Sequence, residues 1–170
     1  MASARAENIL GALALALTDI VLRDTQQQAP EAGPAAAAIA LLGHDPGMTI
    51  ERLRRALGLS HPGAVRLVDR LASDRLIVRR PSERDGRAVA LRLTKVGEAS
   101  CRAILSARQR GLAQALQSLS PAERSTFGAL VEKVLRALLE DEDHAYALCR
   151  LCNYHVCIDC PVETELRGRA

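Results

Sequence analysis

The sequence predicts a mainly α-helical protein with one small β-hairpin, and three observations carry that reading. Apolar residues make up 48% of the 170-residue chain, yet there is no Trp, one Phe and two Tyr. Such an Ala, Leu and Val supply suits helix packing better than an aromatic-rich sandwich. Helical periodicity recurs through most of the chain, whereas a period of two occurs only between residues 76 and 93. Gly, Pro and capping residues fall between the periodic segments, where helices should start and stop.

Taken in order, residues 5–28 place Ile9, Leu13, Ala16, Leu17, Ile20 and Val21 at helical spacing before Pro30, Gly33 and Pro34 interrupt. The run is too short and too charged, at Asp19 and Arg23, for a membrane span. It also lacks the basic leader and cleavage site of a signal peptide, so a cytoplasmic protein without membrane contact is expected. Ala35 to Leu42 reads as a short apolar helix that ends at Gly43 and the turn His44-Asp45-Pro46-Gly47. Thr49 should cap a helix through Leu57, with Gly58 stopping it. Ser60 should cap the next, 60–73, whose buried stripe is Ala64, Leu67, Val68 and Leu71. Leu76 to Arg80 and Ala88 to Leu93 should form two strands about the polar turn Pro81 to Gly86, with Val89, Leu91 and Leu93 sharing one face. A helix is expected from Thr94 to about Gln117. Another should open at the capping box Ser120-Pro121-Ala122-Glu123 and run through Phe127, Leu130, Val134, Leu138 and Leu139 to the acidic run 140–143.

Charge is distributed unevenly. The whole chain carries +3, but residues 51–110 hold 15 basic and 6 acidic side chains, leaving 8 basic and 14 acidic elsewhere. A basic middle between acidic ends is the electrostatic footprint of a site for a polyanion. The order helix, Gly-containing turn, helix, hairpin is that of a winged helix-turn-helix. In it, Leu53, Ala56, Leu57 and Leu59 pack the first helix against the stripe of the second. His61, Pro62, Gly63, Arg66, Asp69 and Arg70 are then left on the outer face. A helix of this width fits the major groove and reads base edges with its N-terminal half. Arg66 is the best placed to donate two hydrogen bonds to guanine, with Ser60, His61, Pro62 and Gly63 beside it. Arg70, Arg52, Arg54 and Arg55 suit phosphates, and the bland reading of each arginine is a solvated surface charge.

The run 57–71 (LGLSHPGAVRLVDRL), followed by 76–80 (LIVRR) and 83–94 (ERDGRAVALRLT), closely resembles the MarR family of bacterial regulators, over about residues 10–142. The resemblance implies a winged helix-turn-helix on a helical dimerisation platform. The platform would be built from residues 1–30 and 96–143 of two chains, and the DNA-binding lobe from 31–95, with its recognition helix at 60–73 and its wing at 76–93. It implies a homodimer that binds a pseudo-palindromic duplex operator, commonly as a repressor, and a small-molecule effector that the sequence does not identify. It also implies that Arg87 at the wing tip enters the minor groove, held by Asp85, with Arg84 as a second basic tip residue. A narrow minor groove attracts arginine through its negative potential. Val65 stands where relatives often carry Ser or Thr, and Pro62 and Gly63 where they carry polar readers, so His61 and Arg66 bear more of the specificity.

Residues 144–170 lie beyond this resemblance and hold Cys149, Cys152, Cys157 and Cys160 as C-x2-C-x4-C-x2-C. Each pair can curl two thiolates onto one side of a tight turn, and two pairs can complete a tetrahedron. Structural zinc is the first reading. An iron–sulfur cluster is the second, favoured by Cys160-Pro161. Disulfides or free thiols are the third, and a reducing compartment opposes the former. With four cysteines present, His155 and Asp159 are expected outside the ligand set, and Cys101 as a small buried residue. A thiol oxidoreductase is the rival class, but the C-x2-C pairs neither follow a strand nor open a helix of a βαβ unit, and no phosphate-binding glycine loop is present. A winged helix used only for protein contacts sits poorly with the basic middle. The expectation is a DNA-binding protein and not an enzyme.

Overall fold

A computed structural model describes residues 2–30, 33–82 and 89–169. Eight helices and two strands follow in chain order: α1 (Ala2–Gln26), α2 (Ala35–His44), α3 (Ile50–Ala56), α4 (His61–Ser73), β1 (Ile77–Pro81), β2 (Val89–Leu93), α5 (Lys95–Ala115), α6 (Pro121–Ala137), α7 (Glu142–Cys149) and α8 (Pro161–Arg169).

The helix starts follow from local capping chemistry. Thr49, Ser60, Thr94 and Ser120 each sit in extended backbone and accept a hydrogen bond from the amide three residues on. This satisfies a donor that the helix itself leaves unpaired. Ser120 and Glu123 complete the reciprocal capping box. Gly58 ends the α3 turn with φ +62°, a left-handed conformation that glycine adopts without Cβ strain. The turn after α4 reaches the same region through Arg75, φ +59°, with no glycine to announce it.

The core forms where these elements converge. All of 35–42 is buried, as expected for a helix apolar on every side. Ile39, Leu41 and Leu42 meet Leu53 of α3, Val68 and Leu71 of α4, Leu91 of β2 and Ile104 of α5. Helix α1 lies along α5, and α2 beneath α5. Gly97 lets α5 start directly against the entry to β1, since a Cβ there would overlap the Leu76 carbonyl oxygen. Thr94 reinforces the same junction by donating to the Arg75 carbonyl at 2.6 Å.

The hairpin is antiparallel, pairing Ile77 with Leu93 and Pro81 with Val89. Its burial departs from the alternation expected of β2. Val89 is 43% exposed, Leu91 is fully buried and Leu93 half-buried, while Ala90 is 3% exposed. The reason is a third segment: Thr49 bridges Ala90, and residues 47 and 48 exchange backbone hydrogen bonds with Leu91. Both faces of β2 are therefore covered at Ala90 and Leu91. The helix expected to run to the acidic stretch stops at Ala137, and the acidic stretch opens a new one, α7, capped by Asp141. Helices α7 and α8 were not foreseen. They close a small second cluster of Leu139, Ala145 and Val162 with Leu135, Leu148 and Leu166 at its edge. Among the described residues, no helix is long and apolar enough to cross a membrane.

Candidate nucleic-acid interface and cysteine cavity

Helix α4 is the centre of the interface. Its stripe Ala64, Leu67, Val68 and Leu71 is buried, which fixes the rotation of the helix and turns His61, Pro62, Arg66, Asp69 and Arg70 outward. Gly63 is half-buried under the cap, where an added Cβ would lie 3.1 Å from Ser60 Oγ. The Ser60 hydroxyl accepts from Gly63 N at 3.2 Å, so this side chain holds the helix start in place. Asp69 pairs with Arg79 of β1, tying the middle of α4 to the hairpin. The structure thus brings Ser60, His61, Pro62, Gly63, Arg66 and Arg70 onto one helix face and its start. Arg84, Asp85 and Arg87 lie outside the described residues.

The three arginines of α3 are engaged within the chain. Arg54 pairs with Glu51 at 2.7 Å and donates to the Leu59 carbonyl at 3.2 Å. That pairing is the first cause holding the Glu51 carboxyl below its usual range. Arg52 pairs with Glu142 and stacks 4.5 Å above the Tyr146 ring. Arg55 reaches Asp143 at 3.3 Å. Tyr146 OH donates to Asp45 Oδ2 at 3.3 Å, and burial pushes its ionisation upward. Sequence reading assigned these arginines to phosphates and did not foresee α7, because the α7 partners of Arg52 and Arg55 stand some ninety positions away.

The four tail cysteines line one cavity of about 690 Å³ with His44, Tyr146 and Tyr154. The first C-x2-C curls as expected, and the linker between the two pairs also turns. The Cys152 amide donates to the Cys149 carbonyl at 2.8 Å, and Cys157 N to the Tyr154 carbonyl at 3.3 Å. The Cys149 thiol donates to the Cys152 sulfur, which lowers Cys152 to about 6 and raises Cys149. Burial, then the charge of Cys160, raises Cys157 to about 11. All five cysteines are free. Four thiols around one cavity are the donor set that zinc or an iron–sulfur cluster selects. Among the described residues, no three Cys, His, Asp or Glu side chains converge as a single ion requires. His155 and Asp159 are exposed and absent from the cavity wall, and His155 stacks on Tyr154 at 4.1 Å. His44, joined to Tyr154 at 5.0 Å, is a wall residue that no motif signalled. Cys101 is buried at 6% exposure, and desolvation raises its thiol.

Helix-turn-helix, hairpin and flanking helices together define a winged helix-turn-helix of the kind found in MarR regulators. Residues 32–88 match the MarR family model. Among solved structures, the chain is similar to a MarR family protein from Bacillus stearothermophilus, at 26% identity and a TM-score of 0.69, covering 82% of this chain and 96% of that one. It is also similar to Rv1404 from Mycobacterium tuberculosis, at 24% identity and TM-score 0.67, with the same two coverages. A third is the transcriptional repressor CouR bound to a 23-mer DNA duplex, at 22% identity and TM-score 0.57, covering 75% of this chain and 89% of that one. None of the curated proteins matches the chain. The fold is that of MarR family transcription regulators, and the similarity is to regulators rather than enzymes.

Proposed function

We propose that the chain is a sequence-specific duplex-DNA-binding regulator that works in the cytoplasm as a homodimer and represses its targets. The observation that carries this reading is α4. A buried aliphatic stripe and a capped start present His61, Arg66 and Arg70 together on one exposed face. Arg66 reads a base, Arg70 contacts phosphate, and the wing residues Arg84, Asp85 and Arg87 address the adjacent minor groove. Repression is the role that CouR's description gives to that protein. The homodimer is supported by apolar faces left uncovered in one chain. Ile9, Leu10 and Leu13 on α1 are exposed, as are Leu130, Val131 and Val134 on α6, a helix with no buried residue. Two such faces meeting across a two-fold axis would place two α4 helices on two half-sites.

Selection of bound duplexes from a randomised pool tests the reading. It predicts a pseudo-palindrome, and R66A should relax selection at one base position per half-site. Recovery of no preferred sequence would overturn it.

For the tail, the proposed ligand is zinc held by Cys149, Cys152, Cys157 and Cys160. It would clip the segment, since four thiolates can close around one ion and make its binding energy part of the tail's folding energy. An iron–sulfur cluster is the second reading, favoured by a cavity larger than one ion needs and by thiols that do not converge on a point. Zinc and iron analysis of protein purified without oxygen, with its visible spectrum, separates the two. A colourless protein with one zinc per chain supports the first; a brown one with iron and sulfide supports the second.

A further inference from the structure

Helix α7 joins two places that the sequence keeps apart. Its last residue is Cys149, on the wall of the thiol cavity. Its first two are Glu142 and Asp143, which hold Arg52 and Arg55 of α3. Those arginines lie three residues apart on one face of α3 and are both partly exposed, with side chains 30% and 48% accessible. The first helix of a helix-turn-helix crosses the DNA backbone, and arginine is the side chain best suited to phosphate oxygens.

We propose that the first turn of α7 is an acidic strap that occupies Arg52 and Arg55 in place of DNA phosphates, and that DNA must displace it to use them. The inference rests on the DNA-binding reading above. Three features make it a built contact and not a chance meeting of surface charges. Asp141 caps α7 by accepting from His144 N at 2.7 Å, which orients the first turn and its carboxylates. Tyr146, one turn further on, lies under Arg52 and donates to Asp45, so α7 is seated against the turn that precedes α3. A polar cavity of about 820 Å³ between residues 45–49, β2 and α7 is lined by Thr49, Arg52, Arg55, Asp141, Glu142 and Asp143. It gives the carboxylates room to part from the arginines. Exposed ion pairs are weak and salt-screened, so the strap is displaceable. Because Cys149 ends the same short helix, whatever organises the thiols sets the position of the strap.

The test compares wild type with E142Q/D143N and with E7Q/E98Q. The control changes net charge equally on α1 and α5, away from α3. The strap predicts that E142Q/D143N elutes from heparin at higher salt than the control. It also predicts that the variant binds non-specific duplex DNA roughly tenfold more tightly, as two surface pairs allow. The plot of log affinity against log salt should steepen by about 2. If E142Q/D143N and the control shift equally on heparin, the strap is overturned. A larger heparin shift without DNA binding by any of the proteins would keep the strap and discard the DNA-binding reading. Should the double variant melt early, E142Q alone leaves the Asp141 cap intact and reads the same heparin shift at about half size.

Discussion

The winged lobe and the cysteine tail solve the same problem of holding short helices together, and they do so by different means. In the lobe, α2 to α5 and the hairpin bury Ile39, Leu41, Leu42, Leu53, Val68, Leu71, Leu91 and Ile104 almost completely. In the tail, α7 and α8 bury Leu139, Ala145 and Val162, while Ile158 stays 88% exposed and Val156 66%. Apolar burial stabilises in proportion to the area removed from water, so the lobe holds itself and the tail does not bury enough. Four thiols around one cavity are what the tail has instead. The difference teaches that the rigid part of this protein presents α4, and that the conditional part touches it through α3.

Perturbing each region separately can break or sharpen that contrast. The largest effect is expected in the lobe core. Leu71→Ala removes a fully buried side chain and should cost about 2–5 kcal/mol by thermal or denaturant unfolding. A cost under 1 kcal/mol would show the lobe to be less closely packed than described. Next, on the proposed base contact, Arg66→Ala should weaken specific DNA binding by about 1–3 kcal/mol with an unchanged melting curve, because the side chain is exposed. Loss of stability along with affinity would make Arg66 structural.

Third, the cap at the start of α6 should be worth about 1 kcal/mol. Ser120→Ala removes the acceptor for Glu123 N and half of the capping box, and urea unfolding reads the loss. The contrast itself is tested by Cys152→Ser with Cys157→Ser. On the metal reading proposed above, metal content should vanish and amide exchange should quicken across 142–169, with the protection of α2 and α4 retained. Equal protection in both proteins would show that the tail needs no ligand. The smallest effect is chemical. In the folded protein Cys101 should be alkylated more slowly than in the unfolded chain, since it is buried against the core and desolvation raises its thiol. Equal rates would point to an open core.

Much of this protein was legible residue by residue. Caps at Thr49, Ser60 and Ser120, the stop at Gly58 and the stripe of α4 depend on neighbours within about four positions, so spacing alone reveals them. The outward set of His61, Arg66 and Arg70 follows from that stripe, as does the pairing of the two strands from a change of period. The uncovered faces of α1 and α6 were likewise visible as apolar helix with no obvious place to go.

Other features were decided only in three dimensions, because they rest on contacts between distant positions. Ala90 is buried by Thr49 from forty residues earlier, which no alternation within β2 can report. Helices α7 and α8 gain their packing from Leu135, Leu139 and each other, too few apolar positions to show as a period. Arg52 and Arg55 looked like phosphate ligands in sequence and met Glu142 and Asp143 in the fold. The sequence by itself determined the local geometry of the reading helix, since capping and periodicity act over a single turn. Tertiary structure alone decided what that lobe touches, because long-range partners are chosen by shape and charge after the turns have formed.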